Sequence, residues 1–213
     1  MTTATTYRAR RTTRRTQVRR RRRLAGVVML LGAAAVALGA AGIVGVGPLG
    51  DAVREITLPL RHEDIIRQQA ADKDVDAALI AAVIYEESKF RDQTSHAGAR
   101  GLMQITPGTA DYIAAKSGGT AFEQGDLATP QINIAYGAWY LRYLHEKYDG
   151  REIAAVAAYN AGEGTVDEWI ETAGGLTLFD EGDVQFAETR EYVDGVMDHR
   201  AAYRKHYDDE LGY

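Results

Sequence analysis

Seven apolar residues in a row, Leu79-Ile80-Ala81-Ala82-Val83-Ile84-Tyr85, run straight into two acids, Glu86 and Glu87. A run of this kind has no polar face to turn towards water, so it folds as an element buried on every side. Asp76 stands ahead of it as an N-cap or first-turn residue, and the spacing predicts a helix over about 77–89. On that helix Ile80, Val83, Ile84 and Glu87 fall at i, i+3, i+4 and i+7. Glu87 therefore continues the buried stripe, while Glu86 lies about 100° around the helix and reads as the surface residue. A carboxyl at the end of a buried stripe is shielded from water, which disfavours its charged form and raises its pKa. A polar, helix-poor loop follows over 91–100, and then the Gly-led tetrad Gly101-Leu102-Met103-Gln104 carries one amide back into the core. Acid and amide together suit the floor of a cleft in which a proton is given to a bound substrate.

The rest of the domain reads as mainly α. From His62, the residues Ile65, Ile66, Gln69 and Ala70 recur at helical spacing until Asp72 and Asp74. Thr106-Pro107 starts a helix that Gly118-Gly119 stops, and Thr129-Pro130 starts a long one over 131–148. Its apolar face is Ile134, Gly137/Ala138, Leu141 and Leu144/His145, and Asp149-Gly150 closes it. An Ala-rich helix over 152–159 ends at Asn160-Ala161-Gly162, and Thr165 reads as the cap of a short turn through Trp169. Residues 174–185 are acidic and irregular. The last helix, over about 188–206, brings Tyr192, Val196, Met197, His199 and Tyr203 to helical intervals. No stretch alternates with the period of two that a half-buried strand needs.

Charge divides the chain. Residues 1–23 hold ten Arg and no acid, whereas the chain from Asp51 onward holds 15 basic and 30 acidic residues. So acidic a body is not a nucleic-acid-binding one. Between the two parts, Leu24 to Gly47 is a chargeless run of 24 residues abutting Arg19 to Arg23. About 20 such residues span a bilayer, and the Arg cluster places its end in the cytoplasm. The competing reading is a cleaved signal peptide, although secretory apolar regions are shorter, about 7–15 residues. The expected organisation is a basic disordered cytoplasmic tail (1–23), a transmembrane anchor or signal peptide (24–47), a linker (48–61), a catalytic domain (62–207) and a C-terminal tail (208–213). The domain then faces the outside of a cell membrane. With no Cys, neither a disulfide nor a thiolate site is available.

Five segments occur in order: Glu87-Ser88-x-Phe90; Ser95-x-x-Gly98-Ala99-x-Gly101-Leu102-Met103-Gln104-Ile105-x-Pro107; Asp126-Leu127-x-x-Pro130-x-x-Asn133-Ile134-x-x-Gly137-x-x-Tyr140-Leu141; Ala157-Ala158-Tyr159-Asn160-Ala161-Gly162; and Glu188-Thr189-Arg190-x-Tyr192-Val193. Together they resemble the catalytic domain of the soluble lytic transglycosylases, which shares its core with goose-type lysozyme. The resemblance implies a lysozyme-like helical fold. It also implies cleavage of the β-1,4 bond between N-acetylmuramic acid and N-acetylglucosamine in peptidoglycan, with 1,6-anhydromuramic ends left behind. It assigns the single acid/base to Glu87, in agreement with the helix phase, and the glycan-facing positions to Ser88, Met103, Gln104, Tyr159, Asn160 and Glu188. Ser88 is expected chiefly to support its neighbour, and Glu188 to stand on the far wall of the cleft.

Other readings stand beside these. Asp92, where the family commonly has Pro, is either a turn residue or a second carboxylate that would favour hydrolysis. The loop from Glu87 to Gln104 is one residue shorter than the family's common spacing. The domain could instead be a non-catalytic glycan-binding scaffold within cell-wall machinery. Trp139, Trp169 and Tyr140 could stack on sugars, with core packing the plainer role. The five His residues are scattered without metal-ligand spacing, and neither metal nor cofactor is expected.

Overall fold

The computed structural model describes residues 48–119 and 121–213, and the regular elements among them are helical apart from two isolated antiparallel bridges, Thr94 with Arg100 and Arg100 with Ile105. The Arg tail at 1–23 and the apolar run at 24–47 lie outside the described residues. Among the described residues, no helix is long and apolar enough to cross a membrane.

The chain divides into a unit ending at Thr57 and a unit spanning Leu58–Tyr213. In the first, residues read above as linker form a helix, α1 (Pro48–Thr57). Proline suits a helix start and Arg54 suits the last turn, which explains why the segment is not extended. In the second unit α2 (Glu63–Lys73), α3 (Ala77–Ser88), α4 (Pro107–Ser117), α5 (Pro130–Lys147), α6 (Glu152–Ala161), α7 (Glu163–Thr172), α8 (Ala187–His206) and α9 (Asp208–Leu211) follow one another.

The starts and stops follow local chemistry. Asp76 accepts from the Ala78 amide at 3.0 Å, and Thr106 accepts from the Thr109 amide at 3.2 Å ahead of Pro107. Gly162, at φ 87, both ends α6 and begins α7, a backbone angle that glycine adopts freely. Thr165 is thus inside α7 and not its cap, because the glycine bend comes three residues earlier. Within 174–185, Phe179 and Val184 are buried and pin an otherwise irregular stretch to the core.

Two helices form the centre. In α3 every residue from Ala77 to Ile84 is buried, as its lack of a polar face demands, and its main partner is α8, with α2 and α5 on other sides. In α6 the run Ala154–Ala158 is buried, and its small side chains allow α5, α7 and α8 to approach together. The unit extends beyond the expected 62–207 at both ends. Tyr203 and Tyr207 donate to the carbonyls of Pro59 and Leu58, each at 2.7 Å, and Leu211 is buried. Residues 208–213 are no tail: the Tyr213 hydroxyl donates to the Asp76 carboxylate and accepts from the Ala78 amide, tying the chain's last residue to the start of α3.

Candidate active site

Glu87 sits in the last turn of α3, half-buried, with Tyr192 of α8 donating to its Oε1 at 2.8 Å. Burial pushes its pKa up to about 7; the Tyr192 bond favours the anion and works against that rise, and the neighbouring Glu86 charge adds to it. Tyr159 of α6 also feels the Glu87 charge. Burial first, and then that charge, hold the hydroxyls of Tyr159 and Tyr192 well above their usual pKa. Both tyrosines are therefore hydrogen-bond donors here and not bases.

The chain leaves Glu87 through two successive left-handed residues, Lys89 at φ 51 and buried Phe90 at φ 59. Such angles cost about 1–2 kcal/mol per non-glycine residue, so the turn is held by its surroundings. The tetrad 101–104 forms the opposite side. Asn133, fully buried on α5, accepts from the Met103 amide at 2.8 Å and donates to the carbonyls of Arg100 and Leu127 at 2.9 and 3.0 Å. A Cβ on Gly101, at φ 77, would lie 2.2 Å from Asn133 Nδ2, so only glycine fits. Gln104, left-handed at φ 46, donates through Nε2 to the carbonyls of Gly101 at 2.8 Å and Gln93 at 3.1 Å. Both amide hydrogens are thereby used, and the group it offers outward is the acceptor Oε1.

A pocket of about 240 Å³ is lined by Gln104, Thr106, Tyr140, Tyr159 and Asn160 among others. Tyr159 donates to the Met103 carbonyl at 3.0 Å, and Thr189 of α8 donates to Asn160 Oδ1 at 2.8 Å, which orients an otherwise exposed amide. Of the expected glycan-facing residues, Gln104, Tyr159 and Asn160 are thus brought together. The Met103 side chain is fully buried against Gly137, where an added Cβ would meet its sulfur at 2.2 Å, and its carbonyl is the acceptor that holds the Tyr159 hydroxyl. Ser88 is buried, with its hydroxyl spending its one donor on the Ile84 carbonyl within α3. Glu188 is exposed in the first turn of α8 and is not among the residues lining that pocket. Asp92 is exposed on the loop. Trp169 is buried edge-on against Phe186, and Trp139 stacks on Tyr143.

Glu86 also departs from expectation. Its side chain is only 19% exposed and meets His199 of α8, itself half-buried. Two positioning residues had no assigned role in the sequence, Tyr192 and Asn133, although both stand in the ordered segments quoted above. Among the described residues no cluster of His, Cys, Asp or Glu is arranged to hold a metal ion.

The Transglycosylase SLT domain matches residues 64–177. The chain is 34% identical over 163 residues to the soluble lytic murein transglycosylase of Escherichia coli K12, covering 74% of this chain and 25% of that one. It is 31% identical over 168 residues to the membrane-bound lytic murein transglycosylase C of Salmonella arizonae, covering 68% and 47%. The chain thus spans about a quarter of the length of the soluble relative. Among solved structures it resembles the 70 kDa soluble lytic transglycosylase of Escherichia coli, with TM-score 0.68, 31% identity and coverage of 76% and 27%. A 70 kDa soluble lytic transglycosylase in complex with bulgecin A superposes with TM-score 0.65 at 30% identity, covering 74% and 26%.

Proposed function

Since this chain belongs to the transglycosylase SLT family, we propose that it cleaves the β-1,4 bond between N-acetylmuramic acid and N-acetylglucosamine in peptidoglycan, with Glu87 as the single acid and base. The observation that carries this reading is the environment of Glu87: one carboxyl, desolvated, with its pKa near 7 and a single tyrosine holding it in place. A group with that pKa is divided between acid and base forms at neutral pH, so it serves both halves of a reaction.

In the first half the Glu87 acid gives its proton to the glycosidic oxygen as the bond to muramic C1 breaks. The substrate's own acetamido group steadies the positive charge at C1. In the second half the Glu87 carboxylate takes the proton of the muramic 6-hydroxyl, whose oxygen bonds to C1 and closes the 1,6-anhydro ring. Glu87 ends protonated and no water is consumed. Gln104 presents its acceptor Oε1 to an N–H or O–H of the glycan, Asn160 offers the amide end that Thr189 leaves outward, and Glu188 orients polar groups on the far wall. Ser88 and Met103 act through the backbone they hold. Residues 24–47 anchor the domain at the outer face of the membrane, with the Arg tail inside. The membrane-bound name of one relative is in keeping with such a tether.

Mass spectrometry of the muropeptides released from purified sacculi tests the chemistry. Anhydro ends are the expected product, and bulgecin A, bound by a structural relative, should inhibit their release. Reducing muramic ends would instead make the protein a hydrolase with Asp92 as the partner to examine, and the absence of soluble product from a sacculus-binding protein would make it a scaffold.

A further inference from the structure

Gly195 stands in the interior of the twenty-residue α8, a place where glycine weakens a helix relative to alanine. A Cβ there would lie 2.6 Å from Glu86 Oε1 and 2.9 Å from its carboxyl carbon. The bare backbone is what allows Glu86 to lie against α8. Glu86 Oε1 meets His199 Nδ1 at 2.6 Å, and the same nitrogen is 2.7 Å from the Gly195 carbonyl oxygen. Both neighbours are acceptors when Glu86 is ionised, so Nδ1 carries a proton. The His199 ring in turn packs on Tyr85 with centroids 4.1 Å apart, and Lys89 Nζ lies 4.5 Å from the centre of that tyrosine ring.

Tyr192, Gly195 and His199 are at i, i+3 and i+7 on α8, one stripe facing α3. That stripe receives both consecutive acids: Tyr192 takes Glu87, while Gly195 and His199 take Glu86. A glutamate left to solvent would swing away from its like-charged neighbour. This one is pinned beside it.

We propose that Glu86 is a positioning residue for the proton on Glu87: held by His199 over Gly195, its carboxylate is a fixed negative charge that keeps the neighbouring carboxyl in its acid form until the glycosidic oxygen arrives. The groups facing Glu87 are the Tyr192 and Tyr159 hydroxyls, both neutral donors, so the like charge acting on it is that of Glu86. Burial is the larger influence on Glu87 and the Glu86 charge reinforces it, reaching Tyr192 as well. Facing Glu86 is His199, which packs on the Tyr85 ring that Lys89 Nζ also approaches. The proposal rests on the reading of Glu87 as the acid, but its coupling can be measured without substrate.

The experiment is a carbon-13 NMR titration of the Glu87 carboxyl in the full-length chain, its resonance identified as the one missing from Glu87→Gln. Glu86→Gln keeps the shape and removes the charge; Gly195→Ala keeps the charge and displaces it. Both should lower the Glu87 midpoint by about half to one pH unit. The alkaline limb of the kcat profile should fall with it, so that above the midpoint three to ten times less of the acid form remains. A midpoint unmoved in both variants, with only thermal stability reduced, overturns the proposal and leaves Glu86 a structural contact. Should the midpoint move in a protein that releases no glycan, the coupling stands and it is the enzymatic reading that fails.

Discussion

Glu87→Gln should make the protein inactive and, above neutral pH, more stable. In the folded chain the Glu87 pKa rises from 4.5 to about 7, burial being the main cause. In the unfolded chain the same group ionises near its ordinary value. Between the two, the folded state binds more protons than the unfolded state, so stability falls as pH rises through that window and the loss is complete above about pH 7. At about 1.36 kcal/mol per unit, the buried charge costs on the order of 3 kcal/mol. Glutamine removes the titration, and its amide oxygen can still accept from Tyr192. The variant should therefore exceed the wild type by up to about 3 kcal/mol at pH 8, or roughly 6–12 °C in Tm for a domain of this size. The advantage should vanish at pH 4, where the wild-type carboxyl is protonated in both states. Denaturant unfolding followed by helical circular dichroism at the two pH values reads this directly. A variant less stable than the wild type at pH 8 would refute the reasoning, as would a gain of equal size at pH 4, which would point to packing and not to charge.

Tyr192→Phe removes the bond that favours the Glu87 anion, so the alkaline limb of the pH–kcat profile should move upward while kcat falls; it is opposite in sign to the shift expected from Glu86→Gln. Asn133→Ala leaves the Met103 amide and the carbonyls of Arg100 and Leu127 without their partner, at a cost of about 2–4 kcal/mol in urea unfolding. Asp76 gives an acid-side prediction. Burial alone would raise its pKa, but the Tyr213 hydroxyl and the Arg200 guanidinium outweigh it and hold the carboxyl below its usual range. Its contribution is therefore present above the unfolded pKa of about 3.9 and is lost as pH falls through the lower folded value. Asp76→Asn should flatten the stability profile below about pH 4, and thermal melts across that range would reveal it.

Local patterns made the helices legible because their causes are local. The unbroken apolar run of α3 could only be buried, and Asp76, Thr106-Pro107 and Gly118 act within four residues of themselves. Glu87 was legible for the same reason, through helix phase. Phase alone misplaced Glu86, since the 100° that separates it from Glu87 points towards solvent only if nothing lies on that side. Whether something does depends on α8, a hundred residues away, and on one glycine in it. Met103 reads from sequence either as core or as cleft wall, because an apolar residue in a site-like tetrad suits both, and it is the close approach of Gly137 that shows the side chain turning inward. The tail at 208–213 carries no periodic signal, because what fixes it is a pair of tyrosine hydroxyls reaching chain that is remote in sequence.

The site gathers several features that are unfavourable singly: a buried carboxyl with a raised pKa, left-handed angles at Lys89, Phe90 and Gln104, and a glycine in the middle of α8. Each persists because the elements around it are over-determined. Buried α3, packed on α8, supplies a rigid base for Glu87, and Asn133 satisfies the turn before Gln104 from within the core. One helix face thus performs two tasks that pull Glu87 in opposite directions, Tyr192 favouring its anion and the pinned Glu86 favouring its acid. A pKa near neutrality is where those opposing influences, added to burial, leave Glu87, and it is the value that the proposed reaction asks of a group giving up a proton in one half and recovering it in the other.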